Sequence, residues 1–554
     1  MSDRLAKSAG TVGLAVMTSR VLGVLRDQTL AAMFGTGMAQ DAFSVAMRVP
    51  NLVRDLFAEG AMSAAFVPTF TRHLKNHGRD AAWRLGNLVL NALIVVTGVL
   101  VVAGIFFAEP LLRLLPDFDP AMASADYIAP DGAARLALTV QLAKIVMPFL
   151  TLVAIAVAVG GMLNSLRRFF VPALSPAAYN VGVLLSAVAV VPFCPRFGLE
   201  PIVGIAIGAL IGGLGQIAIQ LPLLYREGFR YQPILSFKDP GLREILLLMG
   251  PGTLGLAAAQ VNLLVNTYLA FGEGEGAVSS LGFAFRLMYL PIGLFGVSVA
   301  TAAIPEMARH AAAGAMDDMR RTISSSLRMM LMLSVPATIG LMVLAGPIVE
   351  LIFQRGQFDA ESTRMTALAL LAYAPGLVGY SAVKIASPAF YAMKDARTPV
   401  LVSVTTIVLN VVLNVTLVRM LSFQGLAIGT AIAALFNAAV LLYLLSRRIG
   451  GVEDSRVAMA FAKILLASLA MGAVAFGAQW WLAAHLPDMT SWVQWLPWDW
   501  GASAASTARA LVRVVGAIAA GVLALGLAAS LLRLHEFTTV SARLIARFRR
   551  PRRR

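Results

Sequence analysis

The sequence predicts an all-α membrane protein with about fourteen transmembrane helices, arranged as two six-helix lobes related by a parallel internal repeat plus two C-terminal helices. Three observations lead there. Hydrophobic residues make up 58% of the 554 residues and charged ones only 13%, against about 25% charged in an average protein. Continuous apolar runs recur along the whole chain, each of roughly 20 residues and so able to cross ~30 Å of hydrocarbon. Lysine and arginine collect in every second gap between those runs. The runs are unbroken rather than alternating, so they read as helices and not as barrel strands.

The spans are expected at 10–34, 39–70, 86–108, 133–163, 171–193, 201–225, 245–271, 277–307, 323–346, 365–390, 398–418, 424–446, 459–484 and 507–533. The first run is long, contains two arginines and lacks a small-residue cleavage site, so it is expected to stay as a helix rather than leave as a signal peptide. One set of connections is basic: Arg72, Lys75, Arg79 and Arg84, then Arg167 and Arg168, then Arg226, Arg230, Lys238 and Arg243. It continues through Arg309, Arg320 and Arg321, through Lys394 and Arg397, and through Arg447, Arg448 and Arg456 to the arginine-rich tail. The alternate connections are neutral or acidic, with Asp117, Asp119, Asp126 and Asp131 in one and Glu273 and Glu275 in another. That pattern puts both termini in the cytoplasm. The formal charge of +16 follows this topology, so it argues for anionic lipid at the tail and against a nucleic-acid partner. Cys194 is the one cysteine, which excludes a disulfide framework and a thiolate metal cluster.

The repeat is legible by eye. Arg48-Val49-Pro50, Leu56-Phe57 and Ala65-Phe66-Val67-Pro68 parallel Arg286, Leu294-Phe295 and Ala303-Ile304-Pro305. Pro148, Arg167 and Pro172 parallel Pro375, Lys394 and Pro399 at the same internal spacing, and Gly204 to Gly208 parallels Gly425 to Gly429. Even-numbered spans match even-numbered spans, so the two halves share orientation, a transporter design with the site expected between halves. The implied divisions are 1–232, 233–450 and 451–554.

Four spans concentrate the polarity. The first carries Arg20, Arg26 and Asp27, and the second Asp41, Arg48, Arg54, Asp55 and Glu59. The seventh carries Gln260, Asn262 and Asn266, and the eighth Arg286. An arginine at the bilayer midplane costs on the order of 2.5–3.5 kcal/mol, so a helix serving only as an anchor would not keep it. Arg20 and Asp27, seven apart, share a helical face, whereas Arg26 points elsewhere. Neighbours such as Arg26–Asp27 and Arg54–Asp55 are not expected to pair well on one helix, which favours a hydrated, net-positive cavity built for an anion. Gly23, Pro50, Gly60, Pro291, Gly293 and Gly296 lie near these charges, where they can kink the helices or let them pack closely. Asn410 and Asn414 are read as an interhelical hydrogen-bonding pair rather than a cation site. His73 and His77 are placed in a basic loop without a third ligand. No nucleophile–base set, phosphate-cradling glycine loop or H-E-x-x-H is present, so the sequence does not read as an enzyme.

At these residues the chain resembles the MurJ (MviN) family, the lipid II flippases of bacterial cell-wall synthesis. The matching marks are Ser19-Arg20-Val21-Leu22-Gly23 with Arg26-Asp27, Asp41-Ala42-Phe43, Pro50-Asn51-Leu52 with Arg54, Phe57-Ala58-Glu59-Gly60-Ala61, Phe66-Val67-Pro68, and Arg286-Leu287-Met288 with Pro291 and Gly293. The resemblance implies a member of the multidrug/oligosaccharidyl-lipid/polysaccharide exporter superfamily. It implies a cationic cavity in which Arg20, Arg26, Arg54 and Arg286 bind the lipid II pyrophosphate, with Asp27, Asp41, Glu59, Gly23 and Pro291 lining or gating it. The expected partners are lipid II and membrane lipids, with the cell-wall synthesis machinery as a further class. No cofactor is expected. The membrane potential or an ion gradient would drive transport, and the ligands of a sodium site cannot be placed residue by residue. Its rivals are a flippase for another polyprenyl-linked glycan, a cation-coupled drug exporter of the same superfamily, and a cell-wall scaffold.

Overall fold

The structure, a computed structural model, describes residues 2–55, 65–113, 132–486, 498–534 and 537. Among these residues there are helices and turns and no strand. The chain divides into two compact units, Met1–Ser279 and Ser280–Arg554. The repeat-based divisions rest on duplicated sequence, the compact units on spatial neighbours, so the two need not coincide.

In the first unit, α1 (Ser2–Phe34) runs without interruption past Gly23 and stops at Gly35, whose φ of 58° suits a residue without Cβ. The second expected span is broken: α2 (Met38–Ala46) gives way at Met47 to α3 (Arg48–Asp55), with Pro50 inside the first turn of α3. Then α4 (Val67–Leu112) is 46 residues long with one non-helical residue, Gly78, at φ 83°. This corrects the expectation of a loop around 71–85. Arg72, His73, Lys75, His77, Arg79 and Arg84 sit on helix on either side of Gly78, because a single glycine in the left-handed region turns the chain without unwinding it.

The fourth expected span is two helices, α5 (Gly132–Val146) and α6 (Phe149–Ser165), parted at Met147-Pro148. It is followed by α7 (Phe170–Ala189), α8 (Pro201–Ala218), the short α9 (Leu221–Arg226) and α10 (Pro240–Phe271). Asp239 caps α10, its Oδ1 accepting from the backbone N–H of Gly241 at 2.9 Å and Leu242 at 3.3 Å. The stretch between α9 and α10 is extended and pinned by two asparagines of α4. Asn87 bonds the backbone of Arg230 and Gln232, and Asn91 donates to the carbonyls of Gln232 and Ile234. Apolar burial is centred on Phe43, Leu142, Phe149 and Ile202 in one cluster, and on Phe66, Phe70, Trp83 and Phe229 in another.

The second unit takes in most of α11 (Ala277–Pro291), a π-helical turn at Ile292–Gly296, and α12 (Val297–Ala312). The interruption falls where Pro291, Gly293 and Gly296 cluster, which favours kinking over close packing as their role. There follow α13 (Met316–Val343), α14 (Ala345–Phe353), α15 (Ala360–Tyr373), α16 (Gly376–Ala392), α17 (Arg397–Leu421) and α18 (Phe423–Ile449). The last two helices are α19 (Asp454–His485) and α20 (Trp498–Leu531), which pack through Ile464, Ala467 and Ala529.

The duplication extends to backbone detail. Both α6 and α16 begin after a proline, Pro148 or Pro375, and both end on a left-handed basic residue, Arg167 at φ 61° and Lys394 at φ 59°. Glycines seat α8 on α7: a methyl at Gly212 would stand 2.7 Å from the Tyr179 carbonyl oxygen. They seat α18 on α17 in the same way, since a methyl at Gly425 would meet the Leu417 carbonyl and one at Gly429 the Asn414 side chain.

Nine helices among the described residues are long and apolar enough to cross a membrane, ten if α15 and α16, bent by 44°, count as one span. The expected spans outside that set are the first, second, seventh and eighth. These are the four that carry Arg20, Arg26, Arg48, Arg54 and Arg286 and the amides of α10.

Candidate functional site

The first group of candidate residues lies where α1 meets α7. Arg26 donates from Nε and Nη2 to Asp27 Oδ1, at 3.1 and 2.8 Å, and from Nη1 to Asn180 Oδ1 at 3.0 Å. Asn180 in turn donates from Nδ2 to the Ser19 carbonyl at 3.0 Å. The guanidinium carbon stands 5.4 Å from the Tyr179 ring centroid. Gly23 faces this cluster, where a methyl would make ordinary contact with Asn180 Nδ2 at 3.6 Å.

Arg26 and Asp27 do pair, contrary to the expectation for sequence neighbours. So do Arg54 and Asp55, with Nε and Nη2 at 3.0 and 2.9 Å from Oδ1. The arginine stem is long enough to fold its guanidinium back over the adjacent short carboxylate, so the angular separation of neighbours on a helix does not forbid contact. Both pairs use a single carboxylate oxygen, and Arg54 remains 42% exposed at its side chain. Asp55 Oδ2 also accepts from Gln260 of α10 at 3.5 Å, and Arg48 donates to Thr267 of α10 at 2.8 Å. Arg20 is exposed and has no polar partner among the described residues. Arg20, Arg26 and Arg54 all belong to the first unit.

Asp41 is fully buried in a separate cluster. Its Oδ1 accepts from the Ser279 backbone N–H at 2.8 Å and from the Ser279 hydroxyl, and its Oδ2 from the Gly276 N–H at 2.8 Å. Arg135 of α5, itself buried, pairs with Oδ2 at 3.4 Å while its guanidinium lies 3.7 Å over the Phe271 ring. A carboxylate from α2 therefore satisfies the free N–H groups where α11 starts, as an N-cap would.

In the second unit, Arg286 is exposed on α11, 5.9 Å from the Phe283 ring centroid, and Pro291 closes that helix. Glu59 lies outside the described residues. Asn410 and Asn414 bond one another within α17, and Asn410 Nδ2 donates to Thr430 Oγ1 of α18 at 3.5 Å, the expected interhelical hydrogen bond. Asp395 instead caps α17 through the N–H groups of Arg397 and Thr398 and pairs with Arg448.

Sequence reasoning missed Arg135, Asn180 and Ser279. Arg135 was visible as a lone cation at the head of the fourth apolar run and Asn180 as a lone amide in the fifth. Nothing in the chain order tied either to Arg26 or Asp41.

A many-helix membrane protein with broken helices and intramembrane arginines is a transporter architecture. A solved multidrug-resistance MATE transporter of the MOP superfamily, in an inward-facing conformation, has the same fold at TM-score 0.63 and 14% identity, over 79% of this chain and 96% of that one. A second solved structure, lipid II flippase MurJ in an inward closed conformation, has a TM-score of 0.73 at 23% identity, over 94% and 99%. The sequence profile of the lipid II flippase MurJ family matches residues 30–490. A probable lipid II flippase MurJ from Vibrio cholerae is 36% identical over 89% of this chain and 92% of the relative, and one from Rhizobium meliloti 34% identical over 87% and 88%. The chain belongs to the lipid II flippase MurJ family.

Proposed function

We propose that this chain is a flippase that carries lipid II from the inner to the outer leaflet of the bacterial cytoplasmic membrane by alternating access. In this reading Arg20, Arg26, Arg54 and Arg286 hold the pyrophosphate, and the polyprenyl tail stays in lipid. The observation carrying it is the exposure of Arg20 and Arg286, on two of the four expected spans that concentrate polar residues. Those charges need water or an anion. Arginine suits a diphosphate because it stays protonated and presents paired donors.

Asp27 orients Arg26, and Gly23 lines the cavity beside Asn180 of α7. Asp41 latches the start of α11, with Pro291 and the π-turn as a compliant point in the eighth span and Glu59 as a second acidic gating residue. The two lobes are 1–232 and 233–450, with 451–554 adding two helices and a basic tail, and both termini face the cytoplasm. The membrane potential drives an anionic headgroup outward, at ~2.3 kcal/mol per charge and 100 mV. Partners are lipid II and membrane lipids, with cell-wall enzymes as a further class. A cation-coupled drug exporter of the same fold would need carboxylates rather than arginines facing its substrate.

The test is depletion of the native copy and complementation with Arg286→Ala, with outer-leaflet lipid II measured by an external probe. Loss of surface lipid II at normal protein abundance is expected. Full growth with unchanged surface lipid II overturns the reading.

A further inference from the structure

In the second unit, Lys384 lies on α16 ten residues before Lys394, about 15 Å deeper into the span at 1.5 Å per residue. Its side chain is exposed and has no polar or aromatic partner among the described residues. An ammonium at that depth is far from the interface to which a lysine stem can reach, so an exposed one calls for water or a counter-charge.

Its surroundings are not those of a lipid face alone. Tyr380 stands one turn earlier on the same face of α16. It packs edge-on against Phe285 of α11, centroids 6.4 Å apart at 84°. Phe285 also stacks on Tyr289, at 5.9 Å and 27°. Tyr289 is 44% exposed and follows Arg286 by three residues, a spacing that makes the two neighbours on the helix surface. The neighbouring helices thus present a guanidinium, an exposed phenol ring and, one turn further along α16, an ammonium.

We propose that Lys384 and Tyr289 form a second subsite for the headgroup, in which Lys384 binds an anionic oxygen group, carboxylate or phosphate, while the Tyr289 ring lies against a sugar. This deepens the proposed function and rests on it. An ammonium is a compact point charge with three donors, suited to one anionic oxygen at a time, whereas the guanidinium of Arg286 suits the forked oxygens of a diphosphate. An exposed tyrosine ring offers a sugar a flat apolar surface with a polar edge.

The experiment uses the full chain purified in detergent and three probes. These are inorganic diphosphate, a short-chain lipid-linked muropeptide, and the same muropeptide with its carboxylates amidated. Lys384→Met, which keeps an apolar stem, should bind the unmodified muropeptide about tenfold more weakly, and Lys384→Arg should regain most of the affinity. Tyr289→Leu should weaken both muropeptides and leave diphosphate binding unchanged. If amidation removes the Lys384→Met difference, the anion is a carboxylate; if diphosphate binding falls as well, it is a phosphate. Either result supports the subsite. Unchanged affinity of Lys384→Met for all three probes, with Arg286→Ala weakened, overturns this subsite alone. If Arg286→Ala also binds every probe as the parent does, the proposed function falls with it.

Discussion

Arg26 uses every arm of its guanidinium: Nε and Nη2 on Asp27, Nη1 on Asn180. A lysine could satisfy one of these acceptors but not hold both in a plane. Arg26→Lys should therefore fail to complement depletion while accumulating normally, as growth and immunoblotting would show. Asn180→Ala removes the amide that ties Arg26 to the Ser19 carbonyl, and a lost hydrogen bond to a charged group is worth roughly 1.5–3 kcal/mol. Its expected effect is a several-fold fall in lipid II export with little loss of melting temperature, because Arg26 keeps Asp27. Asp41 differs in kind, for it is buried and satisfies two backbone N–H groups at once. Asp41→Ala strands those donors and removes the carboxylate paired with the buried Arg135. It should lower thermal stability by several kcal/mol, measured as a clear drop in the unfolding midpoint in detergent.

Among the elements, the α7–α8 pair is held at glycine distance, and α7 carries the Tyr179 and Asn180 that face Arg26. Gly212→Val would push into the Tyr179 backbone, so its damage should appear at the arginine site as well as in stability. The expected result is lost complementation with full membrane insertion, and retained function would count against this coupling. In the second half, Asp395 caps α17 outside the membrane. The N–H of Thr398, then its hydroxyl and Arg448, hold the Asp395 carboxyl below its usual value. A lowered carboxyl stabilises the fold above its ordinary titration range and loses that contribution as pH falls through the lowered one. Asp395→Asn should thus lower the melting temperature at neutral pH and leave the acid value little changed, flattening the acid limb of the profile.

For the whole molecule, the four spans that carry Arg20, Arg26, Arg48, Arg54, Arg286 and the amides of α10 are the four that fall outside the apolar set among the described residues. In the proposed reading, transport physics and membrane physics compete in the same helices, since a cation able to bind a diphosphate also weakens the helix as a lipid-soluble rod. In the proposed cycle an anionic cargo moves outward with an inside-negative potential, which makes the cycle voltage-sensitive. Collapsing the potential in reconstituted vesicles should slow lipid II export, and an unchanged rate would remove the electrical drive.

The sequence by itself determined the helical class, the duplication and the identity of the cationic helices. Each follows from local quantities: run length, charge placement, and proline and glycine spacing within a few turns. It also marked Pro291, Gly293 and Gly296 as able either to kink the eighth span or to let it pack closely, and the structure puts a π-helical turn there. Only the tertiary structure decided the partners. The Asn180 contact with Arg26 spans 154 residues, and Ser279 with Asp41 spans 238, distances over which no periodicity carries information. It also reversed the expectation for Arg26–Asp27 and Arg54–Asp55, since side-chain reach, not backbone angle, sets whether neighbours meet. The helical course of the basic stretch after Val67 was hidden for a related reason. Charge placement marks a membrane boundary but not whether the chain unwinds there, and one left-handed glycine was enough to turn it.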